Sequence, residues 1–403
     1  MRVTIEKSKP TGTVAAPPSK SMAHRLLICG GLSKGRSIVH GIAPSQDILA
    51  TLDCLKSLGA NYTYDGDTVI IDGIGVPGSA KEALFCRESG STLRFFLPLC
   101  MFGDDEKTLY GSETLLKRPL DVYKDICNKQ GIKFDNDGKR ITVSGKLAFG
   151  EYLVPGDISS QFITGLLFAL PLLDGDSIIK VIPPIESLSY INMTIDAFRT
   201  FGVEVCREGE NTFIIKGNQS FKPQEVWVEG DYSNAAFFGA MRSLGSDVNI
   251  TGLKNDSLQG DKVYEELFAV LDEGMPGVDI SDCPDLGPIL FAVAAAKNGG
   301  VFTGTKRLRI KESDRGAAMA EELRKFGVSV EIEEERIIVN RGNFHKPDVM
   351  LCGHNDHRIV MSLCVLLTLV GGTIDGAEAV NKSMPDFFDK IKQLGVEVKY
   401  EAV

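Results

Sequence analysis

Lys20, Ser21 and Arg25 stand within six residues of one another, behind Pro17-Pro18-Ser19 and ahead of the apolar run Leu26-Leu27-Ile28-Cys29-Gly30. If the run is helical, cations and a hydroxyl share its first turn with unpaired backbone N–H groups and the positive end of the helix dipole. Such a start suits a bound anion, a phosphate or a carboxylate. The chain as a whole carries a net charge of −10, so cations gathered at one turn contrast with an acidic background. An ordinary capped helix with solvated charges would account for the same residues, and this stretch alone does not separate the two.

Four other stretches concentrate charge in the same way. Glu88-Ser89-Gly90-Ser91-Thr92-Leu93-Arg94 reads as a helix start whose glycine permits close backbone approach. Lys117-Arg118-Pro119 precedes an amphipathic segment, and Asn355-Asp356-His357-Arg358 opens a strongly apolar one. Arg309-Ile310-Lys311-Glu312-Ser313-Asp314-Arg315 crowds five charges into seven residues. Lys311 and Arg315 would share a face if that stretch were helical. Arginine forks onto carboxylate and phosphate oxygens, so several such turns together favour a site for more than one anion.

A repeat positions these turns. Six amphipathic segments end at Gly59, Gly131, Gly202, Gly274, Gly327 and Gly395, about every 70 residues apart from a short interval before Gly327. A glycine there is a helix stop, and β-rich segments follow it. Between them lie more apolar helices beginning at polar turns: Ser19-Lys20-Ser21, Ser89-Gly90-Ser91, Ser159-Ser160-Gln161, Asp231-Tyr232-Ser233, Asp282-Cys283-Pro284-Asp285 and Asn355-Asp356-His357. Helices apolar nearly all round should be buried. The expected fold is α/β, six β-α-β-α-β-β units with the fourth shortened, and buried helices whose N-termini could converge. Six caps serving packing alone would explain the serines and aspartates, but not the added arginines.

Composition narrows the classes. With 403 residues and 43% apolar content the chain suggests two or three domains. The 54 acidic against 44 basic residues argue against a general nucleic-acid binder. The longest nearly apolar run, Ile359 to Gly372, falls short of the roughly 20 residues that span a bilayer, and the start lacks an apolar signal core, so a cytoplasmic location without membrane partners is expected. Nine scattered cysteines without a C-x-x-C pair read as reduced core thiols. His354 and His357 are the one close histidine pair and lack the companions of a zinc site, so no metal is expected.

Pro18-Ser19-Lys20-Ser21, Arg118-Pro119, Ser159-Ser160-Gln161-Phe162, Glu229-Gly230-Asp231, Lys311-Glu312-Ser313-Asp314-Arg315, Asn355-Asp356-His357-Arg358 and Lys382…Pro385-Asp386 occur in this order along the whole chain. The set closely resembles the 5-enolpyruvylshikimate-3-phosphate synthase family of enolpyruvyl transferases. The resemblance implies an inside-out α/β barrel of two domains with three repeats each, spanning 12–229 and 1–11 plus 230–403, with the active site in the cleft between them. It implies transfer of the enolpyruvyl group of phosphoenolpyruvate to the 5-hydroxyl of shikimate 3-phosphate by a monomer that needs no cofactor. Shikimate 3-phosphate would meet Lys20, Ser21, Arg25, Ser159, Ser160, Gln161, Ser187, Tyr190, Asp285 and Lys311. Phosphoenolpyruvate would meet Lys20, Gly90, Arg118, Gln161, Arg315, Arg358 and Lys382. Asp285 is the expected base; Glu312 is the expected acid, with Lys20 an alternative. A carboxylate beside Lys311 and Arg315 needs a partner or burial to act as an acid.

Two substitutions depart from the family pattern: Phe95 where proline is frequent, and Arg307 where asparagine is common. Gly90, tied in the family to binding of the inhibitor glyphosate, is retained, so sensitivity is expected. The sister transferase acting on UDP-N-acetylglucosamine commonly carries a reactive cysteine before its Arg-Pro pair. The loop Gly111-Ser112-Glu113-Thr114-Leu115-Leu116-Lys117 has none. A non-catalytic binder of phosphorylated metabolites would be expected to have lost an acid–base residue, yet Asp285, Glu312 and Lys20 are all present.

Overall fold

All six repeat glycines adopt positive φ, from +69° at Gly131 to +112° at Gly274, a region that side chains with a Cβ rarely enter. Each follows an amphipathic helix: Gln46–Ser57, Asp121–Gln130, Leu188–Thr200, Tyr264–Val270, Arg315–Lys325 and Phe387–Gln393. The computed structural model describes residues 1–78 and 83–401. The apolar helices between them are Lys20–Gly31, Gly90–Leu99, Ser160–Ala169, Tyr232–Ser243, Gly287–Ala296 and His357–Val370. Ser89, Ser159, Asp231 and Asp356 cap four of these, each accepting from a backbone N–H two or three residues on. The Asp282–Asp285 turn differs. Pro284–Leu286 is a short 3-10 turn running into Gly287–Ala296 without a side-chain cap. Asp285 is thereby directed to other partners.

Among the described residues the strands form six small sheets, five of them with one order: a parallel pair followed by two antiparallel strands. In Glu151–Pro155, Ser177–Ile182, Thr212–Ile215 and Val205–Glu208, for example, Tyr152 faces Ile179 in the parallel pair and Ile179 faces Phe213 in the antiparallel one. The sixth sheet has two strands, Thr11–Ala15 parallel to Asp247–Thr251. No described helix is long and apolar enough to cross a membrane.

The chain divides into two units, Lys20–Glu229 and Met1–Ser19 with Gly230–Val403. Each holds three of the sheets and one hydrophobic core. The first crossing falls after Ser19 rather than after residue 11. The reason is the pairing of Thr11–Ala15 with Asp247–Thr251, reinforced by a bridge from Pro18 to Gly230, which keeps the segment with the C-terminal half. All nine cysteines are free; seven are buried, whereas Cys206 and Cys352 are exposed.

In the Lys20–Glu229 unit one glycine decides how close two helices come. A Cβ on Gly165 would lie 2.1 Å from the Tyr123 hydroxyl and 2.3 Å from the Arg94 carbonyl. Its absence lets Ser160–Ala169 lie directly against the backbone of Gly90–Leu99, and Tyr123 donates to the carbonyls of Arg94 and Phe162 across the contact. The N-termini of the two helices are brought together as a result.

Candidate active site

In the Lys20–Glu229 unit the helix contact just described joins Gln161 to the Gly90 turn. Gln161 Nε2 donates to Ser91 Oγ at 2.9 Å, and its Oε1 accepts from Arg94 Nη1 at 2.7 Å. A Cβ on Gly90 would lie 2.8 Å from Arg118 Nη1 and 3.7 Å from Gln161 Oε1, so Gly90, Arg118 and Gln161 share one small region. Lys20 Nζ pairs with Asp47 Oδ2 at 2.8 Å. Arg25 donates to Ser21 O, Thr194 Oγ1 and Tyr190 O, with its guanidinium near the rings of Phe95 and Tyr190. Burial lowers its pKa to about 10, which still leaves it charged at neutral pH. Ser187, in the left-handed region at φ 56°, precedes the helix that carries Tyr190, while Ser159 and Ser160 open the helix of Gln161. His24, buried between these cations, is held neutral by burial and by Lys20 and Arg25, and its Nδ1 meets Thr51 Oγ1.

The other unit gathers its charges around three carboxylates. Arg315 is 1% exposed and spans three acidic groups: Nη1 to Asp285 Oδ1 at 2.8 Å, Nη2 to Glu312 Oε2 at 2.6 Å and Nε to Asp356 Oδ2 at 2.9 Å. Asp285 also takes Lys311 Nζ at 3.2 Å and Arg358 Nη2 at 3.3 Å. Burial alone would raise the Asp285 pKa. Arg358, Lys311 and Arg315 outweigh it and hold the carboxyl well below its usual range. Burial lowers Lys311, only partly offset by Asp285. Burial also opposes the charge on Arg315, but Asp356, Glu312 and Asp285 overcome it and raise its pKa. Asp261, buried nearby, is pushed up to about 6 by burial and by Asp285. Lys382 Nζ donates to the carbonyl of Asn355 at 2.6 Å.

The geometry decides one conditional reading. Lys311 and Arg315 do not share a helical face, because Lys306–Ile310 is a 3-10 turn, Lys311 is extended and the helix begins only at Arg315. Both reach Asp285 all the same, from either side of the turn. Arg307, the unusual residue, is buried and donates to the carbonyl of Ser281, a tie to the segment leading into Asp285.

Other contributors were not singled out as site residues from the sequence. Asp356 both caps the last apolar helix and orients Arg315, which its place in a charged turn hinted at. Arg94, charged in an otherwise apolar helix, carried a signal of the same kind. Asp47 and Glu322 carried none. Glu321, Glu322 and His354 bring potential ligand atoms within 4.8 Å of one another, but both Glu322 oxygens already accept from Lys325, and one accepts from His354. That arrangement is an ion-pair cluster.

The family profile of EPSP synthase (3-phosphoshikimate 1-carboxyvinyltransferase) matches residues 5–391. The 3-phosphoshikimate 1-carboxyvinyltransferase of Clostridium beijerinckii is 42% identical, with 97% of each chain covered. That of Clostridioides difficile is 40% identical over 97% of each chain. Among solved structures, EPSP synthase from Acinetobacter baumannii superposes with a TM-score of 0.78 at 23% identity, covering 99% of this chain and all of that one. The enolpyruvyl transferase NikO from Streptomyces tendae superposes at 0.79 with 14% identity, covering 100% and 99% of the two chains, and these two likenesses speak to the fold. By the profile match and by full-length identity near 40%, the chain belongs to the EPSP synthase (3-phosphoshikimate 1-carboxyvinyltransferase) family.

Proposed function

We propose that the chain acts as a 3-phosphoshikimate 1-carboxyvinyltransferase, with shikimate 3-phosphate and phosphoenolpyruvate as substrates. The observation that carries the chemistry is the Asp285 carboxylate ringed by Lys311, Arg315 and Arg358, an acid–base group set among cations suited to phosphate and carboxylate. The 5-hydroxyl oxygen bonds to C2 of phosphoenolpyruvate, Asp285 takes the hydroxyl proton, and C3 gains a proton from Lys20, or from Glu312 once Arg315 leaves it for the substrate and its carboxyl can hold a proton. The tetrahedral intermediate then loses a C3 proton as its C2–O bond to phosphate breaks, which restores the double bond and frees phosphate. No metal or organic cofactor is required, and the working unit is read as a cytoplasmic monomer with the inside-out barrel arrangement of repeats.

The substrate anions compete with Asp285 for the same cations. As Arg315 and Arg358 turn toward phosphoenolpyruvate, Asp285 loses the charges that depress its basicity and becomes a better base when the substrate is present. The Lys20–Asp47 pair stands in the same relation to an incoming phosphate. Ser21, Arg25, Ser159, Ser160, Gln161, Ser187 and Tyr190 are assigned to shikimate 3-phosphate, together with Lys20, Asp285 and Lys311. Gly90, Arg118, Gln161, Arg315, Arg358, Lys382 and Lys20 are assigned to phosphoenolpyruvate.

Release of phosphate tests the activity. Purified protein should release it from phosphoenolpyruvate when shikimate 3-phosphate is supplied, and not when UDP-N-acetylglucosamine replaces it. The opposite pattern would overturn the assignment.

Gly90→Ala tests the assignment of the Gly90 turn. The added methyl meets the far end of the Arg118 side chain, which can move, so the fold should tolerate it and Tm should barely change. A displaced guanidinium weakens a charged hydrogen bond, and KM for phosphoenolpyruvate should rise roughly ten- to a hundredfold with KM for shikimate 3-phosphate nearly constant. Inhibition by glyphosate should weaken in parallel. An unchanged KM for phosphoenolpyruvate would remove Gly90 from that site.

A further inference from the structure

Seven residues beyond Arg315 on the same helix, and so on the same face, lies Glu322, fully buried. Its Oε1 accepts from His354 Nε2 at 2.9 Å, its Oε2 from the backbone N–H of Cys352 at 2.9 Å, and Lys325 Nζ lies within 2.9 Å of both oxygens. The helix therefore grips the segment 352–356 at two points, Glu322 at one end and Arg315 on Asp356 at the other. Between those points the backbone is unusual. His354 and Asn355 are consecutive non-glycine residues in the left-handed region, at φ 48° and 52°. Such a pair persists only where surrounding contacts impose it. The conformation has a use, because it presents the Asn355 carbonyl to Lys382 at 2.6 Å and sets Asp356 against Ser313 and Arg315.

We propose that His354 is a positioning residue that, through its bond to Glu322, locks the 352–356 turn and so holds Lys382, Arg315 and Arg358 in place for phosphoenolpyruvate. His354 touches no substrate in this scheme. The proposal rests on the reading of those three cations as phosphoenolpyruvate ligands. The groups facing His354 are Glu322, Glu321 and Lys325 on the opposing helix, and Cys352, whose Sγ accepts from its backbone N–H. The Glu322 bond outweighs partial burial and raises the imidazole above its ordinary 6.5. The charged form of the lock is thus complete below the unfolded value and fades as pH climbs through the higher folded one.

The test compares steady-state constants of His354→Ala, His354→Gly, His354→Gln and Lys382→Met between pH 6 and 9. His354→Ala and His354→Gly should raise KM for phosphoenolpyruvate about tenfold at low pH, with kcat and KM for shikimate 3-phosphate within a few fold. His354→Gln keeps a donor for Glu322 without titrating. It should retain a low KM and lose the part of the wild-type rise in KM that follows imidazole deprotonation. A wild-type KM in His354→Gly, where the left-handed backbone is free of strain, would overturn the proposal even if His354→Ala failed to fold. A wild-type pH profile in His354→Gln would do the same. Lys382→Met separates the two readings: if it raises KM for phosphoenolpyruvate while the His354 variants do not, only the positioning role falls. If Lys382→Met leaves that KM unchanged, the ligand reading falls and the proposal falls with it.

Discussion

Replacing Asp285 by asparagine is expected to lower kcat by roughly a hundred- to ten-thousandfold, the range for loss of a positioned proton acceptor. Asparagine keeps the shape, its one carbonyl oxygen can still accept from Lys311 and Arg315, and Arg358 keeps its bond to the backbone carbonyl of residue 285, so the fold should survive. What distinguishes this prediction from a general loss of function is the behaviour of phosphoenolpyruvate. Asp285 competes with it for Arg315 and Arg358, and the uncharged amide competes less. Phosphoenolpyruvate binding in the presence of shikimate 3-phosphate should therefore hold steady or tighten while turnover collapses. Calorimetry of that complex beside single-turnover kinetics would read both. A near-normal kcat would remove Asp285 from the mechanism. The wild-type pH profile offers a second check, because the free enzyme holds Asp285 low through its cations. The acid limb of kcat, which reports the bound state, should then lie at higher pH than that of kcat/KM.

Arg315→Met should combine the largest stability loss with a loss of activity. Arg315 is the common partner of Asp285, Glu312 and Asp356, and Asp356 is fully buried. Removing one partner of a buried ion pair leaves the other charge uncompensated, at a cost of about 3–5 kcal/mol. At about 2–4 °C per kcal/mol in domains of this size, Tm should fall by roughly 6–20 °C. The sign with pH follows from the carboxylates. Burial pushes Asp356 up, but Arg315 holds it below its ordinary value. Its contribution is therefore present above the unfolded pKa and lost as pH falls through the folded one. Without Arg315 the folded value rises, so acid unfolding should begin at higher pH, and Asp356→Asn should recover part of the lost Tm. Arg315→Lys should restore little activity, since a single ammonium cannot reproduce the three-way fork. A Tm within a degree or two of wild type would contradict the assigned role of this cluster.

Much of the scaffold was legible because its signals are local. Ser89, Ser159, Asp231 and Asp356 read as caps, since a short side-chain oxygen bonds a backbone N–H two or three residues away. Gly131 and its counterparts read as helix stops because the left-handed conformation excludes most other residues. The charged turns were also visible, and with them Lys20, Arg118, Asp285, Arg315 and Arg358. The first domain crossing was misplaced because Thr11–Ala15 finds its partner at Asp247–Thr251, a pairing with no local trace. Whether Lys311 and Arg315 share a helical face was left conditional, because spacing alone does not reveal that the helix starts only at Arg315.

By itself, then, the sequence determined the capped apolar helices, the glycine stops, the periodic repeat and the residue types able to bind anions and move protons. These depend on neighbours within a turn or two of chain. Only the tertiary structure decided which charges pair: Arg315 with three carboxylates, Arg94 with Gln161, Lys20 with Asp47, and Glu322 with His354. Those partnerships join helices and turns distant in the chain. They depend on how closely the backbones pack, as at Gly165, and packing distance is a property of surfaces in contact that residue spacing does not encode.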